Sequence, residues 1–160
     1  MKKLLRVLLV LILLLGIVGF VGIQFVRSQI DQRASQIVSG LVDSNVVGDT
    51  LQDLVIPPTS PQEFVQYFNN HAQEVSALTN GLVSSASASV QGSHVTYDFV
   101  IDGLNGLVVD VLIASNGDQI EAMANAILDS MVEAGTQNPS LDLNLVNEHG
   151  QIIRTLHYTR

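Results

Sequence analysis

The hydrophobic pattern changes character once, near the start of the chain. Val7–Ile23 runs for 17 residues without a polar side chain, and Phe25-Val26 extend it past Gln24. A helix rises about 1.5 Å per residue, so Val7–Val26 is long enough to cross a hydrocarbon core of about 30 Å. Lys2, Lys3 and Arg6 precede the run. Positive residues stay on the cytoplasmic side, which sends the rest of the chain across. Residues 1–26 are therefore expected to be a single-pass signal-anchor at the cell membrane, with the N-terminus cytoplasmic. A cleaved signal peptide is the alternative. It would have a shorter apolar region of about 7–15 residues and a small-residue cleavage site. Only Val26-Arg27-Ser28 and Ile17-Val18-Gly19 approach such a site. Either reading places the remainder outside the cytoplasm.

Beyond Arg27 the apolar residues become periodic. Ile30, Ala34, Ile37, Val38 and Leu41 recur at helical spacing and predict a stalk helix to about Asp43. Val46–Thr59, with Gly48 and Pro57-Pro58, reads as a linker, so residues 27–59 form a stalk and linker. The folded part is expected over 60–160. Ser60-Pro61-Gln62-Glu63 is a helix start: serine caps, proline suits the first turn, and Glu63 completes a capping box. Phe64, Phe68, Ala72, Val75 and Thr79 then make one apolar stripe, ended by Asn80-Gly81.

Two segments alternate like strands. Leu82–Gln91 is rich in Ser and Ala, Gly92-Ser93 is a turn, and His94–Ile101 follows. Val95, Tyr97, Phe99 and Ile101 share one face of that strand, and His94, Thr96, Asp98 and Val100 the other. Asp102–Ala114 is open to two readings. Leu104, Leu107, Val108, Val111 and Leu112 fit a helix, which we adopt; Asn105-Gly106 and the β-branched run that follows fit a strand. Asn116-Gly117-Asp118 reads as a break. Ile120, Met123, Ala124, Ile127, Leu128, Met131 and Val132 then form a second helix, with Gly135 as its cap. A final hairpin places Leu141, Leu143 and Leu145 on one strand, turns at Glu148-His149-Gly150, and returns over Gln151–Thr159. The order is helix, hairpin, helices, hairpin. The expected fold class is α+β, with an antiparallel sheet packed on helices.

Charge sharpens the picture. All 15 acidic residues lie at or after Asp31. Against them, residues 27–160 offer four basic ones, Arg27, Arg33, Arg154 and Arg160, which leaves −11. Such a surface repels nucleic acid, and nucleic acid is not an expected partner. There is no cysteine, which removes disulfides, thiol catalysis and thiolate metal sites.

The C-terminal pattern carries a resemblance. Asn138-Pro139-Ser140-Leu141 leading into Leu145-Val146-Asn147-Glu148-His149-Gly150-Gln151-Ile152-Ile153 resembles small exported or membrane-anchored domains of Gram-positive bacteria. Those domains end in a strand, an Asn-x-Asp-Gly-like turn and a final strand, after an aromatic hairpin and helices. His94–Phe99 and Asp118–Gly135 fit that order, so the resemblance spans about residues 60–160. His149 stands where the turn usually has Asp, and the anchor lacks the lipid-bearing cysteine common in such proteins. The resemblance implies the fold and the export. It implies no activity, because the family has none assigned.

Candidate chemistry is sparse. His71, His94, His149 and His157 lack the i, i+4 spacing of a helical metal site, and read as isolated surface or edge residues. His94 and His157 fall on separate strands that a sheet can make neighbours. No Gly-x-Ser-x-Gly elbow surrounds Ser84–Ser89, whose run reads as small residues packed close under a helix. Asp98 with Asp102, or Asp110 with Asp118, cannot be aimed into one cleft from spacing. Asn116-Gly117-Asp118 is too short for a calcium loop. No catalytic, cofactor-binding or metal residue is assigned, no cofactor is expected, and the chain is not expected to be an enzyme. The expected role is a membrane-tethered extracytoplasmic interaction or accessory module with a cell-surface protein as partner. The alternative is a small-ligand binder or hydrolase with a pocket between sheet and helices.

Overall fold

The structure, a computed structural model, describes residues 56–78 and 83–160. The apolar run Val7–Val26, the stalk, most of the linker and the helix end at Thr79–Gly81 lie outside the described residues. Among the described residues no helix is long and apolar enough to cross a membrane.

The N-terminal cap forms as its residues dictate. Ser60 Oγ accepts from the Glu63 N–H, and Glu63 Oε2 accepts from the Ser60 N–H at 2.8 Å. This starts α1 (Pro61–Asn70), and α2 (Ala72–Leu78) follows. The single stripe expected from Phe64 to Thr79 is thus broken at His71. Its ring stacks on Tyr67 with centroids 4.3 Å apart, and its Nδ1 donates to the Tyr67 carbonyl at 2.8 Å, capping α1 there. Just before Ser60 the chain is already tied down. Ile56 is buried in the core, Thr59 N–H donates to Ser130 O, and Ser130 Oγ donates to Pro57 O.

Strands β1 (Val83–Gln91) and β2 (His94–Ile101) form the expected hairpin, with Gly92 at φ 64 in the turn. Next comes α3 (Gly106–Glu133), one helix of 28 residues. Helix is the correct reading of 106–114, and Asn105-Gly106 is its start: the Asn105 side chain accepts from Val108 N–H at 3.1 Å. The break expected at Asn116-Gly117-Asp118 is absent. A Cβ on Gly117 would meet only an ordinary contact, 3.7 Å from Ile113, so nothing there requires a bend. Packing wins over the local turn signal: Val108, Val109, Ile120, Met123, Ala124, Ile127, Leu128 and Met131 are all buried along one helix. Leu107 and Val132, expected on the apolar stripe, are 74% and 47% exposed. The helix ends where Gly135 takes φ 92 and Thr136 N–H returns to Met131 O.

Strands β3 (Ser140–Asn147) and β4 (Ile152–Thr159) close the fold with the second hairpin. Sheet order is β1-β2-β3-β4. The class is α+β as expected, but the sheet is mixed rather than antiparallel, because β2 and β3 pair in parallel. The uninterrupted α3 is the cause. At about 1.5 Å per residue it returns the chain past the full length of the sheet, so β3 starts beside the start of β2.

The described helices all bury against one face of this sheet. Phe64 and Phe68 from α1 and the α3 stripe join Val95, Tyr97, Phe99, Ile101, Leu141, Leu143 and Leu145 in one core. The Phe68 ring meets Tyr97 and Phe99 edge-on, with centroids 4.7 and 5.8 Å apart. Burial among these rings pushes the Tyr97 hydroxyl pKa upward.

Candidate functional site: the polar face of the sheet

Strand alternation that sends the core residues inward sends their neighbours to the opposite face. Strand register then lines them up in rows. Gln91, His94, Ser140 and Thr159 form one row across the four strands. Ser89, Thr96, Asp142 and His157 form the next, and Ser87, Asp98, Asn144 and Thr155 the third. The next row along the same face is apolar at Val100, Val146 and Ile152, but these three rows are polar and, apart from Asn144, half-buried or exposed.

They are joined by hydrogen bonds that run sideways along the sheet. His94 Nδ1 and Ser140 Oγ share a hydrogen bond of 2.7 Å, and His94 Nε2 faces Thr96 Oγ1 at 3.2 Å. The same Nε2 lies 3.3 Å from Asp142 Oδ2. His157 Nδ1 bonds Asp142 Oδ1 from the other side. One carboxylate on β3 is thus flanked by an imidazole from β2 and one from β4, with ring centroids 6.3 Å apart. In the third row Asn144 Nδ2 donates to Asp98 Oδ1 and Thr155 Oγ1 donates to Asn144 Oδ1, both at 2.7 Å. Asn144 is 8% exposed, and these two bonds satisfy its side chain.

Two of the four histidines are therefore not isolated. Lateral pairing brings His94 and His157 to one carboxylate, as neighbouring strands allow. His71 caps α1, and His149 sits exposed in the last turn, 3.8 Å from Glu148. The acids weighed as carboxylate pairs, Asp98 with Asp102 and Asp110 with Asp118, are scattered. Asp98 joins the third row. Asp102 lies in the turn after β2, Asp110 pairs with Arg154 at 2.7 Å, and Asp118 is exposed on α3. Asp129 is held below the usual carboxylate range, mainly by hydrogen bonding from Arg160. The serines of β1 divide by strand alternation: Ser85, Ser87 and Ser89 face out, while Ala86 and Ala88 pack against the core under the helices.

Ser140, His94 and Asp142 in series have the bonding order of a nucleophile, base and carboxylate. The surroundings do not suit acyl transfer. Ser140 sits on a strand, and its own N–H is spent on Ser93 O at 3.1 Å, so it cannot stabilise an oxyanion. Thr96, Asp142, Asn144 and Ser140 escaped the search of the sequence for chemistry. Alternation placed them on the outward face, but only strand order says which of them touch. No protein-family model, no curated protein and no solved structure matches this chain.

Proposed function

We propose that the chain is a membrane-tethered module whose folded part stands outside the cytoplasm and acts by binding a cell-surface protein, not by catalysis. The observation that carries this reading is the division of the sheet into two unlike faces. Helices bury one face, and the other presents three successive polar rows across the four described strands, bordered at one end by Val100, Val146 and Ile152. Polar rows whose side chains bond one another laterally suit a recognition surface better than a reaction cleft. The apolar run Val7–Val26 behind three positive residues supports the tether, and the acidic surface supports a protein rather than a nucleic-acid partner.

Absence of cysteine gives a clean test of placement. Thr155→Cys on the polar face should react with a membrane-impermeant maleimide on intact cells, and Lys3→Cys should react only after lysis. Both variants should stay in the membrane fraction. A Thr155→Cys protein labelled only after lysis, or a full-length domain shed into the medium with a processed N-terminus, would overturn the tethered outer placement.

A further inference from the structure

We infer that His94, Asp142 and His157 form a binding site for one divalent transition-metal ion, of the zinc class, on the polar face of the sheet. Two imidazoles and a carboxylate are a donor set that suits such ions, with the remaining positions filled by water or a partner group. Three features of the geometry carry the assignment. First, the three side chains come from three successive strands and meet on one face, with Asp142 between the rings. Second, His94 Nε2 and Asp142 Oδ2 are 3.3 Å apart. Bonds of about 2.0–2.1 Å in a tetrahedral shell set donor-to-donor edges of about 3.3 Å, so this pair already spans one edge. Third, Ser140 Oγ bonds the far ring nitrogen of His94 at 2.7 Å. An outer partner of this kind fixes ring orientation and tautomer at metal-bound histidines.

As they stand, no three such side chains among the described residues converge as a ready metal cluster. His157 is the one that must turn, because its Nδ1 is engaged directly with Asp142. Its side chain is 58% exposed, so the turn displaces no core packing. Charge favours the cation. Residues 56–160 hold two arginines against eleven acids, which leaves −9, and both arginines are paired with aspartates on α3. A bound ion would clamp β2, β3 and β4 on the face that no described helix covers.

The test is zinc titration of untagged full-length protein in detergent micelles, read by calorimetry and by thermal unfolding. The parent should take up one ion per chain and melt higher as free zinc rises, by mass action. His94→Ala, His157→Ala and Asp142→Asn should each weaken binding by more than about 10-fold, and Ser140→Ala by about 10-fold as the loss of an outer partner. His71→Ala and His149→Ala should bind like the parent. Circular dichroism of the Asp142→Asn protein, the most conservative change, separates lost binding from lost fold. Absence of saturable binding to the parent overturns the assignment. So does binding that survives loss of both His94 and His157. Placement of the domain outside the cell is read independently of either result.

Discussion

The two faces of the sheet are built from alternate residues of the same strands, yet they are held by different physics. On the covered face Tyr97, Phe99, Leu143 and Leu145 stack under α1 and α3, and their contribution scales with apolar area removed from water. On the open face His94, Asp142 and His157 contact one another sideways through directional bonds, in a solvent that competes for each. Loss of a group on the first face leaves a cavity. Loss of a group on the second leaves a partner that water can satisfy. The described fold therefore rests on one face, and the proposed recognition on the other.

The largest effect should come from the covered face. Phe99→Ala removes a fully buried ring and should cost about 3–5 kcal/mol, a large part of the stability of a marginally stable domain. Denaturant unfolding measures it. A melting temperature within a degree or two of the parent would show that Phe99 is not a core residue.

A smaller effect is expected where the helices meet the β1 edge. The Asn69 amide pairs with both backbone groups of Ala88, donating to its carbonyl at 2.9 Å and accepting from its N–H at 2.8 Å. Asn69 thereby occupies hydrogen-bonding positions that an edge strand would otherwise offer to another chain. Asn69→Ala should cost about 1 kcal/mol and raise the tendency of the protein to associate through β1. Equilibrium unfolding with sedimentation checks both. Unchanged stability together with unchanged association would remove the edge-protection role.

The smallest effect concerns pH. The Glu148 carboxylate accepts from its own N–H and from Gly103 N–H, the latter at 3.0 Å, and these bonds hold its pKa below the usual value. Asp129 and Glu63 are lowered in the same sense, by Arg160 and by Ser60. A carboxylate depressed in the folded state stabilises it above the unfolded pKa, about 4.3 for glutamate, and loses that contribution as pH falls through the folded value. Stability should thus hold from neutrality to about pH 5 and fall below about pH 4. Glu148→Gln should make the acid limb shallower. An acid limb identical in the Gln variant would mean that Glu148 makes no such contribution.

The same contrast explains what the sequence disclosed. Period-two alternation identified Val95, Tyr97, Phe99 and Ile101 as inward-facing, and the 3.6-residue period identified most of the buried side of α3. Both signals come from burial, which acts on each element separately. Strand order does not. The parallel pairing of β2 with β3 followed from the continuity of α3 through Asn116-Gly117-Asp118, where core packing overrode a local turn signal. Since His94, Asp142 and His157 come from three strands, their meeting depended on that order and on register. Their types were visible, and their proximity was not. His71 shows the reverse: its stripe looked continuous, but the helix ends there, with the His71 ring nitrogen donating to the Tyr67 carbonyl.

The division of labour between the faces is tested most directly by site-specific cross-linking on intact cells. Ser87→Cys places a short photoactivatable probe on the open face, and Ala122→Cys places it on the exposed side of α3. Both residues are exposed, so neither change disturbs the core. The account predicts one discrete cross-linked protein species from Ser87→Cys and none from Ala122→Cys. Equal cross-linking from both positions, or a discrete species from Ala122→Cys alone, would contradict it.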